Sequence, residues 1–129
     1  LMDEGYFMYS EEMDWCRRFS YAGWKIVYLP TARVIHYEGQ SSGKDPYHRH
    51  TRFQYSKCRY FERHRGARFA QLLRVFLLGN YLFLWLEDAA KLVLLRLNRS
   101  MRRERMQVLA KVLLWQLRWV ARSDKLAHG

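Results

Sequence analysis

Residues 3–18 read Asp-Glu-Gly-Tyr-Phe-Met-Tyr-Ser-Glu-Glu-Met-Asp-Trp-Cys-Arg-Arg, and this stretch starts a helix. Ser10 stands where an N-cap belongs, and Glu11, Glu12 and Asp14 fall in the first turn, where negative charge complements the helix dipole. Residues 11–22 suit a short helix, because Met13, Cys16 and Phe19 recur at the spacing of one partly apolar face. Gly23 follows in the position of a left-handed cap. Neighbouring helical residues point about 100° apart, so Glu11 and Glu12 cannot do the same job. One can face a cleft while the other holds a base or the backbone. A general base needs a carboxylate near the proton it removes. Taken alone, however, such an acid cluster is an ordinary helix start with nothing to catalyse.

Outward from this helix, Trp24-Lys25-Ile26-Val27-Tyr28-Leu29 is rich in β-branched and aromatic residues and is stopped by Pro30, which predicts a strand. A second short strand is expected over residues 32–37, and residues 39–46 have the composition of a loop. The first fifty residues thus read as mixed α/β. From about Tyr47 the signals become helical. Residues 51–65 mix aromatics with bases, Gly66 is a break, residues 69–97 are strongly apolar, and residues 101–122 are basic and amphipathic. Asn98-Arg99-Ser100 reads as a turn, with Ser100 as the N-cap of the last helix.

The whole chain has 129 residues, 50% of them hydrophobic, with 23 Lys+Arg against 12 Asp+Glu and a net charge of +11. That apolar fraction excludes a disordered polar chain. Two cysteines without CxxC spacing exclude a disulfide-dense module and a Cys-based zinc site. No secretory signal opens the chain, and its first residue is Leu, so a piece of a longer protein is expected. The charge is unevenly placed: residues 1–50 carry seven acids and six bases, and residues 51–129 carry five acids and 17 bases. An anionic partner, membrane or nucleic acid, is therefore expected for the second part alone.

The longest uncharged run, residues 75–86, is 12 residues long, whereas a spanning helix needs about 20. A helix lying in the membrane interface, or a pair packed on each other at the bilayer surface, fits better than a single span. In the last helix, Met106, Leu109, Leu113, Leu117 and Val120 are expected on one face, with Trp115 and Trp119 as headgroup anchors. Arg102, Arg103, Arg105, Lys111, Arg118 and Arg122 surround that face and would give salt-sensitive attachment. Two other functions compete. A nucleic-acid-binding module could use the bases interleaved with Phe53, Tyr55, Tyr60 and Phe61, but residues 75–86 are too apolar for such a surface. The other is a non-catalytic helical anchor.

The ordered series from Asp3 to Arg18, continued by Ala22-Gly23-Trp24, Ile26-Val27-Tyr28, Pro30, Ala32 and Val34 to His36, resembles the signature of family 2 glycosyltransferases of the GT-A fold. The likeness is to the bacterial rhamnosyltransferase-like branch and covers about residues 2–42. It implies an α/β fold, with residues 1–46 as the C-terminal, acceptor-side part of a GT-A domain and residues 47–129 as a helical, membrane-associated extension. It implies an inverting transfer from a nucleotide-diphosphate sugar to a lipid-linked glycan or glycolipid acceptor in cell-envelope polysaccharide synthesis. Glu12 matches the catalytic base, although Asp is more usual there, and Glu11 would contact sugar or acceptor. Asp14 and Arg18, a turn apart with opposite charge, are grouped with Glu11 on the substrate side and hold the helix in place. His36 resembles a ligand of a divalent Mg2+ or Mn2+ ion. The ion's carboxylates belong to an N-terminal half that should precede this segment, since these residues contain no Asp-x-Asp. By itself the segment should be inactive. The implied location is peripheral, on the cytoplasmic face of the bacterial inner membrane, with an anionic membrane surface and no nucleic acid as partner.

Overall fold

A computed structural model describes residues 1–35, 45–94 and 98–127, with side chains through residue 120. Four helices follow in order: α1 (Glu11–Tyr21), α2 (Pro46–Arg65), α3 (Ala67–Leu94) and α4 (Arg99–Ala127). The chain divides into two compact units, Leu1–Tyr60 and Phe61–Gly129.

The α/β expectation is overturned. Among the described residues there is no strand, and residues 24–29 and 32–35 are irregular backbone. Val27 and Tyr28 are 78% and 86% exposed. Their β-branched and aromatic character is a preference for a pleated, half-buried surface, and it is realised only where neighbouring strands complete that surface. Among the described residues they meet no such neighbour. The chain therefore shows a helical fold, not part of a GT-A sheet. The end of the second expected strand and most of the expected 39–46 loop lie outside the described residues.

Within the first unit, α1 ends as its sequence indicates. Gly23 takes φ +84°, Trp24 N–H donates to the Phe19 carbonyl at 3.0 Å and Gly23 N–H to the Ser20 carbonyl at 3.1 Å. This pair of bonds satisfies the last carbonyls of the helix as a Schellman cap. The start of α2 departs from the loop expected through Pro46. Asp45 is its N-cap, accepting from His48 N–H at 3.1 Å, and Pro46 occupies the first helical position, where its missing N–H costs nothing. The Asp45 carboxylate also meets His48 Nδ1 at 2.6 Å. These bonds hold Asp45 below the usual carboxylate range. A depressed folded-state pKa stabilises above the unfolded value and stops doing so as pH falls through the folded one. Amide protection in the first turn of α2 should accordingly persist from pH 7 down to about pH 4 and disappear below it. A first turn already frayed at pH 5 would contradict this capping role.

In the second unit α3 and α4 form an antiparallel hairpin. Gly66, at φ +89°, breaks the helix before α3, as its sequence position suggests. Asn98 precedes α4 at φ +51°, and its carbonyl accepts from Arg102 N–H at 3.1 Å. The expected cap, Ser100, instead lies inside the first turn, because the helix begins at Arg99 and the Asn98 carbonyl already accepts its first bond. Ala70, Leu77, Tyr81 and Asp88 of α3 are buried, as are Leu109, Val112 and Gln116 of α4. Steps of seven, four and seven on α3, and of three and four on α4, describe a heptad-like seam. The seam takes in Val112 and Gln116, which the expected apolar set omitted, and leaves Leu117 51% exposed. Arg122 lies beyond the residues whose side chains are described.

Away from the seam, the other face of α3 is apolar. Leu72, Phe76, Phe83 and Leu86 are all exposed. By length and composition α3 is long and apolar enough to cross a membrane, with mean hydropathy 1.5 in an 18-residue window of which 17% is buried. Arg103, Lys111 and Arg118 of α4 are exposed.

Candidate functional site

The sequence around the Glu11–Glu12 pair folds back on itself before the helix begins. Asp3 accepts from Gly5 N–H at 2.8 Å through Oδ1, and its carbonyl accepts from Tyr6 N–H at 3.1 Å. The chain then reaches Tyr9 and Ser10, both left-handed at φ +72° and +65°. For residues with a Cβ this region costs about 1–2 kcal/mol each. Ser10 is the N-cap of α1, as expected, but its side chain makes no capping bond. The strained start of α1 is therefore held by something other than its own cap.

That support comes from α2. Arg52, Ser56 and Arg59 lie four and three residues apart and share one face. The Arg52 guanidinium sits 4.2 Å from the centre of the Phe7 ring. Ser56, itself 1% exposed, donates through Oγ to the Met8 carbonyl at 2.7 Å. Arg59 Nη2 donates to both Asp3 carboxylate oxygens, at 3.1 and 3.2 Å. Beside this face, Phe53 meets the Tyr9 ring edge-on at 5.4 Å. Gly5 is required by the same approach, since a Cβ there would lie 2.1 Å from Arg59 Nη2. Gly5→Ala should push Arg59 off Asp3, because the flexible guanidinium yields more readily than the backbone. An Arg59 signal unchanged in the variant's NMR spectrum would contradict that.

On α1 the acids separate by environment. Asp14 is fully buried and accepts from Arg18 Nε at 2.8 Å, while Arg18 Nη2 donates to the Leu1 carbonyl at 2.9 Å. The pair thus ties the helix to the beginning of the chain. Arg17, one position earlier, donates to the Tyr21 and Tyr60 hydroxyls at 2.9 and 3.2 Å, linking α1 to α2. Glu12 is exposed. Glu11 is half-buried, and its Oε2 is shut off from solvent without a hydrogen-bond partner among the described residues. A carboxylate oxygen in that state has an unfilled acceptor position.

The structure thus brings Glu11 and Glu12 together on the first turn and engages Asp14 with Arg18. His36 lies outside the described residues. Among the described residues no group of three or more His, Cys, Asp and Glu side chains could hold a metal ion, so the divalent ion implied by the resemblance finds no built site there. Sequence reasoning missed Asp3, Ser56 and Arg59. The shared face of residues 52, 56 and 59 was legible as spacing, but spacing does not say what a face packs on.

Over 44 residues the chain is 50% identical to the N-acetylglucosaminyl-diphospho-decaprenol L-rhamnosyltransferase of Mycobacterium tuberculosis, a match covering 34% of this chain and 14% of that protein. Over 78 residues it is 37% identical to rhamnosyltransferase WbbL of Escherichia coli K12, covering 60% of this chain and 25% of that protein. The chain therefore spans a quarter or less of the curated relatives it matches. No protein-family model matches it, and no solved structure does. The two partial likenesses support the rhamnosyltransferase-like glycosyltransferase that the motif series resembles.

Proposed function

We propose that these residues supply the acceptor side of a rhamnosyltransferase acting on a lipid-linked glycan in cell-envelope polysaccharide synthesis. The observation that carries this is the acid pair at the start of α1: one carboxylate is exposed, and the other has an oxygen without a partner among the described residues. The pair sits in a chain that partly matches named rhamnosyltransferases. The donor is a nucleoside-diphosphate-activated rhamnose. Glu12 removes the proton of the acceptor hydroxyl as that oxygen bonds to the anomeric carbon. The bond from that carbon to the diphosphate oxygen breaks, its electron pair leaving with the nucleoside diphosphate, and the configuration inverts. Glu11 accepts a hydrogen bond from a hydroxyl of the acceptor sugar. Asp14 and Arg18 keep the helix that presents both acids in place. The test is transfer by the full-length enzyme to a polyprenyl-diphospho-N-acetylglucosamine acceptor, using a panel of nucleoside-diphosphate sugars. A deoxyhexose added to the lipid from the rhamnose donor alone is expected, and transfer of a different sugar would contradict the reading.

As part of the same proposal, we put the enzyme on the anionic cytoplasmic face of the bacterial inner membrane, since a lipid-linked acceptor is held in a bilayer, and the face of α3 away from the seam is the contact we assign. Fully burying a Leu or Phe side chain gains about 1.5–3 kcal/mol, against about 1 kcal/mol for a base near anionic lipid. Changing Leu72, Phe76 and Phe83 to Ser should therefore release the protein from anionic vesicles. Reversing Arg103, Lys111 and Arg118 to Glu should only weaken binding and steepen its loss with salt. Release by the charge reversal alone would hand the contact to α4.

A further inference from the structure

We propose that Ser56, on α2, is a positioning residue for Glu12, resting on the assignment of Glu12 as the base. Two successive residues immediately before the acid pair, Tyr9 and Ser10, occupy the left-handed region, and α1 lacks a side-chain cap of its own. Residues that hold such a conformation persist only when their surroundings over-determine it. The surroundings here include a buried hydroxyl: Ser56 Oγ donates to the Met8 carbonyl at 2.7 Å, across 48 residues of sequence. The Tyr9 ring on Phe53 adds an apolar contact to the same turn.

The consequence for chemistry follows from geometry. A turn released from the left-handed region rotates by more than a right angle about the backbone that leads into α1, and the carboxylates of Glu11 and Glu12 swing with it. Displacing a catalytic group by about 1 Å can lower the rate by about 10²-fold. Ser56 touches neither acid, so its effect on them runs through the Met8–Ser10 backbone. Glu11 is displaced on the acceptor side as well, whereas donor binding by the rest of the enzyme does not depend on that bond. Losing the hydroxyl should therefore lower kcat and leave the donor KM in place.

The experiment uses the full-length enzyme. Ser56→Ala is expected to lower kcat about 10–100-fold, with donor KM within about twofold of the wild type and far-UV circular dichroism unchanged. Ser10→Gly removes the Cβ that makes the left-handed region costly, so it holds the turn without the hydroxyl. The double variant Ser56→Ala/Ser10→Gly should recover most of the lost kcat. Glu12→Gln is measured alongside. If Glu12→Gln is inactive and Ser56→Ala keeps wild-type kcat, the positioning role is overturned while the base assignment stands. If Glu12→Gln turns over normally, the base assignment itself fails, and the role of Ser56 toward it fails with it. A Ser56→Ala defect that Ser10→Gly does not relieve also overturns the proposal, since the turn would then not be the route of the effect.

Discussion

Glu12→Gln in the full-length enzyme should lower turnover by about 10²–10⁴-fold, the usual contribution of a positioned general base. The substitution keeps size and hydrogen-bonding shape but cannot take the acceptor's proton. Because Glu12 is exposed on the first turn and α1 is tied down through Asp14, Arg17 and Arg18, the variant should keep its fold. Its defect should then lie in kcat rather than in the melting temperature. Glu11→Gln should hurt less and mainly through KM. An amide can still accept from a sugar hydroxyl through its carbonyl, although its other end becomes a donor where Oε2 lacks a partner among the described residues. Near-normal turnover in Glu12→Gln would remove it from the chemistry.

The second large effect belongs to the α3–α4 hairpin. Asp88, with a side chain 3% exposed, lies 3.3 Å from Arg102 Nη1 and 3.1 Å from Arg105 Nε. Changing both arginines to Ala leaves a carboxylate sealed in the seam without its charge partners, which should cost about 3 kcal/mol. That is the low end for breaking a buried pair, because Arg105 is itself 55% exposed and its contribution is partly screened. Adding Asp88→Asn to the two alanines removes the uncompensated charge and should recover most of the loss. Urea unfolding of the wild type, the double variant and the triple variant checks this. Equal stability of the wild type and the double variant would contradict the hairpin's dependence on the cluster.

Legibility in the sequence differed between local and long-range features. The start of α1, its Gly23 cap, the Gly66 break and the helical character beyond residue 47 were readable because each rests on residues within one turn of one another. The strand over residues 24–29 was not. Its composition is that of a strand, but strand formation depends on partners that composition cannot supply. Asp45 and Pro46 looked like loop punctuation, yet the same two residues make an N-cap and first helical position when a helix follows. In α4 the seam runs through Val112 and Gln116, on the same helix face as Arg102 and Arg105, which pair with Asp88 of α3. At the candidate site, the acid pair was visible and its support was not: Ser56 and Arg59 act on residues more than forty positions away.

The most direct measurement is the anomeric configuration of the product, read by NMR after the full-length enzyme has acted on a nucleoside-diphosphate rhamnose and a polyprenyl-diphospho-N-acetylglucosamine acceptor. A rhamnosyl linkage inverted relative to the donor is the result expected from one displacement with Glu12 as base. A retained linkage, or a lipid product carrying no rhamnose, would contradict it.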